Sequence, residues 1–198
     1  MMKKEDLRIT KTKRDLRHAL LELLKTNQFE KITVADICDE AMVNRMTFYK
    51  HFKDKYELLQ ITIINLVDNI MKRAKELAAP VCSFDDHVNF SCVLARTIIL
   101  DSAEKRDILP ALCNGGSGIV YEVLSTAMRE YIFMLVKQVS QFKKLKYSVE
   151  NTVDFLAGGI IQVLYNWLAN VDKYDVNQYA EECTVFTKDL LLSRLFFE

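Results

Sequence analysis

Apolar residues recur at helical spacing along most of the chain, and short polar segments separate one apolar stripe from the next. The first stripe covers residues 16–24, after a basic stretch, and the second covers residues 34–41. A shorter helix is predicted over about 45–52, and a long fourth helix over 55–77. Three short helices with a tight connection between the second and third are typical of a helix-turn-helix unit.

Polar residues mark where these helices begin. Thr33 precedes the second helix and Asp36 follows three positions later, which is the pattern of a capping box with a shorter acid. Asn44 is a suitable cap for the third helix, and Asp54 for the fourth. The helix starts in this part of the chain are therefore predicted from local signals alone.

Beyond Pro80 the pattern stays helical, with Ser83 or Asp85 as the cap of the next helix. Further helical elements are predicted over about 103–112, 119–142, 148–170 and 176–196, with a loop at 114–118. No segment has the pattern of a strand. The predicted fold is all-α: a three-helix head over residues 1–55, joined by the long fourth helix to a helical body over residues 56–198.

Composition supports this fold, because the 198 residues include only five Gly and two Pro, so turns must be few. Lys plus Arg and Asp plus Glu are 27 each, but the two signs are unevenly placed. Residues 1–55 hold 13 basic and 9 acidic side chains, whereas residues 56–198 hold 14 and 18. A small basic head on an acidic body suits a polyanionic partner such as double-stranded DNA.

Several other classes of protein are disfavoured. The five cysteines are scattered and do not cluster with the three histidines, so no metal site is predicted. The Gly-rich residues 115–118 lack the pattern of a nucleophile elbow or of a phosphate-binding loop, so neither an enzyme nor a bound cofactor is expected. Without a signal segment or a span long enough for a membrane, the expected location is the cytoplasm.

The third helix carries the chemistry of a DNA reader. Phe48 and Phe52 lie four residues apart and are expected to face the core of the head. Arg45 suits the edge of a guanine, which it can bind with two hydrogen bonds. Phosphate oxygens are expected to be held by the remaining polar residues, which are Thr47, Tyr49, Lys50 and His51.

The segments around this helix resemble the TetR family of bacterial transcription regulators. The residues that carry the resemblance are 32–37 (ITVADI), 41–44 (AMVN) and 47–59 (TFYKHFKDKYELL), and it extends over about residues 10–59. The resemblance implies an all-helical homodimer whose N-terminal domain binds an operator and whose C-terminal domain senses a ligand and dimerises.

The resemblance also implies roles for individual residues. Thr33 and Lys55 stand where such proteins touch phosphates, at the starts of the second and fourth helices. The DNA-contacting set on and around the third helix would be Asn44, Arg45, Met46, Thr47, Tyr49, Lys50 and His51. The chain departs from the family at Met42, where glycine is usual in the turn, and at Met46, whose large apolar side chain suits a thymine methyl group.

Two helices of the body are candidates for a dimer interface. Gly158 and Gly159 lie within a helical pattern, where each costs up to about 1 kcal/mol relative to alanine, so close approach of another helix is expected. Trp167, with Phe186 and Leu190 from the last helix, would add apolar area. The alternative is that all of them belong to the core of one protomer. Residues 155–161 and 167–170 also resemble a TetR subgroup that includes an activator of dihydroxyacetone kinase genes.

A ligand cavity is predicted between the middle helices of the body. Its candidate lining residues are Leu94, Ile98, Tyr121, Leu124 and Met128, although such residues at helical spacing are more often plain core. A closed apolar cavity of roughly 300 Å³ or more would support ligand sensing. A filled core with an exposed apolar patch would instead support a protein partner.

The predicted function is that of a sequence-specific DNA-binding regulator. Two-fold symmetry predicts a palindromic operator with half-sites about 10 bp apart centre to centre, or a multiple of that spacing. The family favours a repressor released by a small-molecule effector, with the helix over residues 55–77 as the lever between body and head. The alternative is a transcriptional activator whose C-terminal domain binds a protein coactivator.

Overall fold

The computed structural model describes residues 4–109, 118–193 and 195–197, with side chains from residue 7 onward. These residues form eight α-helices and no strand. The helices are α1 (Lys4–Leu24), α2 (Val34–Glu40), α3 (Arg45–Tyr49), α4 (Lys55–Leu77), α5 (Phe84–Ala103), α6 (Ile119–Val139), α7 (Val149–Ala169) and α8 (Val176–Leu192). The predicted all-α fold is confirmed, and the predicted loop at 114–118 lies almost entirely outside the described residues.

The predicted helix starts are confirmed, because each cap makes its hydrogen bond. The Thr33 hydroxyl accepts from the Asp36 amide at 3.2 Å, and the Asp36 carboxylate accepts from the Thr33 amide at 2.8 Å. Asn44 caps α3 through the Met46 amide at 2.7 Å, and Asp54 caps α4. Between the two candidates for α5, Ser83 is the cap. These bonds satisfy amides that the first turn of each helix leaves unpaired.

Two helices end earlier than predicted. The third helix ends at Tyr49, and the last helix ends at Leu192 instead of continuing to Phe196. Beyond Ser193 the chain turns back, and the main-chain oxygen of Phe196 accepts a hydrogen bond from the Lys146 amide at 2.9 Å. Phe196 and Phe197 are buried against side chains of α5, α7 and the segment that precedes α7. Burial of two aromatic rings thus replaces a final helical turn.

The core of the head includes the beginning of α4 and reaches the body. Leu16, Phe48 and Phe52 are fully buried in one cluster with Leu58 and Leu59 of α4. The same cluster gathers Ile63, and from the body Ile108, Val120 and Val123. The fourth helix is therefore shared by the two halves of the molecule, beyond the predicted boundary at residue 55.

Trp167 belongs to the core of the protomer. Its side chain is fully buried and stacks on the Tyr179 ring of α8, with 4.7 Å between the ring centroids. The prediction that Trp167 adds apolar area to a dimer interface is therefore wrong, because its ring already fills the space between α7 and α8 of one chain.

Among the described residues, no helix is both long and apolar enough to cross a membrane.

The turn before α3 holds one residue in a left-handed conformation. Met42 has φ of 52°, and within the described part of the chain it is the only residue other than glycine with a positive φ. Its side chain is 94% exposed, so it contributes almost no packing that offsets the strain. The departure from glycine at this position therefore costs the domain free energy.

Replacing Met42 by glycine is expected to raise the free energy of unfolding by about 1 kcal/mol, because glycine adopts a positive φ without steric strain. Urea denaturation followed by circular dichroism measures the change. Met42→Ala is the matched control, since it removes the same exposed side chain but keeps the strained backbone. If the alanine variant gains as much stability as the glycine variant, the strain is not the cause.

Candidate nucleic-acid interface and effector cavity

One side of α3 packs into the head and the other side faces solvent. Phe48 is fully buried, and its ring meets that of Phe52 at 5.8 Å between centroids. The exposed side carries Arg45, Met46, Tyr49 and Lys50. Positions 45 and 49, like 46 and 50, are one helical turn apart, so these four side chains form one continuous face. Thr47 and His51, the other two predicted contacts, are half-buried at its edge.

Positive charge from α1 reaches the end of α3. Burial lowers the pKa of His51 from its ordinary value, and the charges of Lys13 and Lys50 lower it further. Lys13 thus lies near the end of α3, within electrostatic reach of His51. The N-terminal basic run is part of a helix from Lys4 onward. Sequence reasoning did not single out Lys13, because only the packing of α1 reveals which of its basic residues lies at this end of α3.

The side chains of Asn44 and Thr33 form hydrogen bonds with other groups of the protein. The side-chain oxygen of Asn44 holds the Met46 amide and fixes the start of α3. The Thr33 hydroxyl donates to the Asp36 carboxylate at 2.7 Å, and the Thr33 amide donates to the same carboxylate. These bonds hold the pKa of Asp36 below its usual range. In this structure both donors of Thr33 serve the cap of α2. Its predicted phosphate contact would require one of these bonds to break and stays a prediction.

Lys55 is also committed within the protein. Its ammonium donates to the main-chain oxygens of Phe29, Glu30 and Ile32 at 3.1, 2.9 and 2.8 Å. It also lies over the Phe29 ring, 4.8 Å from the centroid. An ammonium has three N–H groups, so none remains for a phosphate. In this structure Lys55 therefore ties the connection before α2 to α4. Its predicted phosphate contact would require one of these bonds to break and stays a prediction.

The body contains a small apolar cavity between α4, α5, α6 and α7, with a volume of about 80 Å³. Four of the five predicted lining residues line it: Leu94, Ile98, Leu124 and Met128. Tyr121 does not, because its ring is partly exposed and packs edge-on against Tyr165 at 5.3 Å. This volume is well below the roughly 300 Å³ of a preformed site for a drug-sized ligand, so a ligand of that size must widen it.

Polar groups lie on part of the cavity wall. Asp101, Ser102 and Lys105 line it, and Tyr131 lines it with a phenol whose pKa burial raises. One oxygen of the Asp101 carboxylate accepts a hydrogen bond from the Arg73 guanidinium of α4 at 2.6 Å. The cavity is therefore apolar over most of its surface and is bordered by an ion pair that connects α4 to α5.

A second apolar surface lies on α7 and α8 and faces solvent. Phe155 and Val163 of α7 and Phe186 of α8 are exposed, and so are Gly158 and Gly159. A Cβ atom added at either glycine would meet nothing within 4 Å in the protomer. Leu190, the remaining predicted interface residue, is half-buried and packs against the cluster that contains Phe196. This surface is called the α7–α8 face below.

Residues 16–60 match the family described as bacterial regulatory proteins, tetR family. The head therefore matches the DNA-binding domain of the TetR family over residues 16–60. The resemblance noted over about residues 10–59 is thereby confirmed. The TetR match covers α2, the turn at Met42, α3 and the start of α4, so α3 occupies the position of the second helix of a helix-turn-helix unit.

One similar protein is the HTH-type transcriptional regulator YxbF of Bacillus subtilis (strain 168). It is 39% identical over 62 residues, which are 31% of this chain. The match spans only 16% of the length of that relative. The likeness is thus confined to a segment the size of the head.

Solved structures share the TetR fold over nearly the whole chain. A TetR-family regulator from Syntrophomonas wolfei str. Goettingen has a TM-score of 0.73 at 16% identity, covering 94% of this chain and 97% of its own. Bacillus subtilis FadR, in complex with stearoyl-CoA, has a TM-score of 0.66 at 15% identity, and the match covers 88% of this chain and 96% of FadR. The dihydroxyacetone kinase operon activator DhaS has a TM-score of 0.62 at 15% identity, and the match covers 94% of this chain and 98% of DhaS. At these identities the likeness shows the fold.

Proposed function

We propose that the protein is a homodimeric TetR-type repressor that binds a palindromic operator and releases it when a small-molecule effector enters the body. The observation that carries this proposal is the continuous exposed face of Arg45, Met46, Tyr49 and Lys50 on α3. The buried rings behind it and the Asn44 cap fix this face rigidly on the head. Such a face suits the major groove, where side chains reach base edges and phosphates together.

Each exposed residue of α3 has a proposed role. Arg45 reads a guanine, and Met46 contacts a thymine methyl group. Tyr49 and Lys50 hold phosphates, because both side chains are exposed and end in a group that can donate to a phosphate oxygen. Lys13 joins Lys50 beside His51, and this positive group suits one phosphate of the operator backbone. Thr47, half-buried beside them, contributes its hydroxyl to the same strand.

Dimerisation is proposed to occur through the α7–α8 face. Phe155 and Phe186 are large, apolar and exposed, which is unfavourable for a surface in water. Gly158 and Gly159 leave room for close approach of another helix. Two copies related by a two-fold axis would cover both sets of rings and place the two heads on the half-sites of a palindrome.

The effector is proposed to enter the cavity in the body. Its wall is mostly apolar, and α4 supplies residues from Ile63 to Met71 to that wall. Widening the cavity must therefore displace the helix that also carries the core of the head. FadR, whose structure contains stearoyl-CoA, has the same fold and supports a ligand site in the body. These observations favour an effector over the alternative, a coactivator-dependent activator, because the apolar α7–α8 face is assigned to the second copy.

Operator selection tests this proposal. A random duplex pool is enriched on the purified protein, and the selection is repeated with Arg45→Ala and Tyr49→Phe. We expect a palindrome, whose affinity falls about tenfold to a hundredfold in Arg45→Ala, with one base position relaxed in each half-site. Tyr49→Phe should weaken all sequences alike by about fivefold, because a phosphate contact carries no sequence information.

Lys72→Ala is the matched control for loss of a positive charge, since Lys72 is an exposed residue of α4 in the body half of the helix. It should select the same palindrome with unchanged affinity. Binding that is only salt-sensitive and independent of sequence would contradict the proposal. In that case the head requires a partner protein, and the coactivator alternative gains support.

A further inference from the structure

The two partners of the Arg73–Asp101 ion pair at the cavity wall differ in their exposure to solvent. Asp101 is only 7% exposed, whereas the Arg73 side chain that binds it is 51% exposed. The same guanidinium nitrogen of Arg73 also lies 3.9 Å from the carboxylate of Glu104, whose side chain is 64% exposed. Arg73 is thus shared between one buried acid in the cavity wall and one acid in water.

Breaking this pair has different consequences for its two partners. Arg73 would keep Glu104 and contact with water, so its charge would remain solvated. Asp101 would then have only the Lys105 ammonium nearby, which lines the same cavity and already donates to the Asp101 main-chain oxygen at 3.0 Å. Loss of the cation that is hydrogen-bonded to its carboxylate is therefore unfavourable for Asp101. A molecule that displaces Arg73 must therefore bring a positive charge of its own to Asp101.

The charge of Asp101 also discriminates between ligands. A carboxylate or phosphate placed against Asp101 would meet a like charge, and like charges repel strongly in a poorly solvated site. The Lys105 ammonium in the same wall could attract an anion, but it is already bound to the main-chain oxygen of Asp101. A neutral polar group would leave the pair with Arg73 intact and gain little. An ammonium group is the head group that can replace Arg73 on Asp101.

The remaining cavity wall fits the other end of such a molecule. Met71, Met128 and the ring of Tyr131 provide an apolar and polarizable lining. The ring face of a tyrosine also attracts cations. Ser102 is buried in the same wall, and its hydroxyl oxygen can accept a further N–H of an ammonium group.

We propose that the effector is a small hydrophobic amine whose ammonium group replaces Arg73 on Asp101 while its hydrocarbon part fills the cavity. This inference rests on the proposed function, in which the cavity is the effector site. Loss of the Arg73–Asp101 bond removes the short ion pair between α4 and α5 and leaves only the longer one, at 3.9 Å, from Arg73 to Glu104 at the end of α5. The ligand thereby releases the helix that leads to the head, and this couples binding to the operator.

Methyl NMR on the intact protein tests the proposal without DNA. The probes are n-butylammonium, 1-butanol and butyrate, which have the same alkyl chain and differ in their head groups, and which suit a cavity of about 80 Å³. With labelled methionine methyl groups, Met71 and Met128 report on the cavity, and the exposed Met42 is the control in the same spectrum. We expect butylammonium to shift Met71 and Met128 with a Kd about tenfold lower than that of either other probe.

Three variants are expected to change amine binding in different directions. Asp101→Asn should remove the preference for the amine. Arg73→Gln should strengthen amine binding by about tenfold, because it removes the competing cation. Glu104→Gln, an exposed change that leaves the core intact, should weaken amine binding by about threefold, because Arg73 then has only Asp101 to bind. A protein that merely needs the ion pair for folding would not show this pattern.

Tighter binding of butyrate, an unchanged preference in Asp101→Asn, or shifts absent from Met71 and Met128 would each overturn the inference. Operator binding is measured separately on the ligand-free protein. If the methyl groups respond as expected but no operator is selected, the amine site stands and the regulatory role fails. If an operator is selected but butyrate binds best, the regulatory role stands and the ligand class is wrong.

Discussion

Replacing Gly159 by glutamate is expected to convert the protein to a monomer and to weaken operator binding by at least about 100-fold. A Cβ at this position meets nothing within 4 Å in the protomer, so the single chain accommodates the side chain. Across a two-fold interface the substitution places two carboxylates in one apolar contact, where neither has a partner. A dimer that loses this contact also loses simultaneous binding of two half-sites.

Sedimentation equilibrium gives the oligomeric state, and a titration of the selected palindrome gives the affinity. Gln138→Glu, an exposed change on α6, adds the same charge elsewhere and should leave both measurements unchanged. Gly159→Ala is a second test, because its expected effect on stability has the opposite sign in a monomer and in a dimer. Alanine should stabilise an uncovered helix by about 1 kcal/mol, but should weaken a dimer in which another helix approaches this position. A glutamate variant that remains a stable dimer would place the interface elsewhere.

Replacing Phe196 by alanine is expected to lower the free energy of unfolding by about 3–5 kcal/mol, the usual cost of removing a fully packed aromatic ring. Phe196 is only 4% exposed, its ring lies 5.9 Å from that of Phe155, and its main chain is tied to Lys146. Without the ring, the chain after α8 loses its anchor against α6 and α7. Urea denaturation measures the change.

The neighbouring residue provides the control for this substitution. Leu195 is exposed, so Leu195→Ala should cost less than about 0.5 kcal/mol. Because Phe155 also contributes to the α7–α8 face, both variants are best compared in the Gly159→Glu background, where dimerisation does not add to the measured stability. If Leu195→Ala and Phe196→Ala lower the free energy of unfolding equally, the segment after α8 is not anchored through the Phe196 ring.

Local signals predicted the beginnings of helices well. The cap residues Thr33, Asn44 and Asp54 bond to amides two or three positions later, so the interaction lies entirely within a short stretch of sequence. The ends of helices were predicted less well, because they depend on contacts distant in sequence. The apolar spacing of α8 continues to Phe196, but the aromatic residues it would carry are buried more completely when the chain turns back.

The same distinction applies to the candidate site. Which face of α3 is exposed follows from the spacing of Phe48 and Phe52, and the structure agrees with it. The partners of a polar side chain do not follow from spacing. Lys55 meets three main-chain oxygens that are more than twenty positions away in sequence, and Arg73 meets Asp101 at a similar separation. Only the packing of helices shows that one lysine is already occupied and that one acid lies in the cavity wall.

The shared core described for α4 bears on how this protein can be engineered. Leu58 and Leu59 complete the head, and Ile63 contributes both to that core and to the cavity wall. A chimera that joins this head to another body at residue 55 would discard part of its own hydrophobic core. The transferable unit must include α4 up to at least Ile63, together with a body that supplies equivalents of Ile108, Val120 and Val123. The head and the adjoining part of the body therefore have to be transferred together, because they share one hydrophobic core.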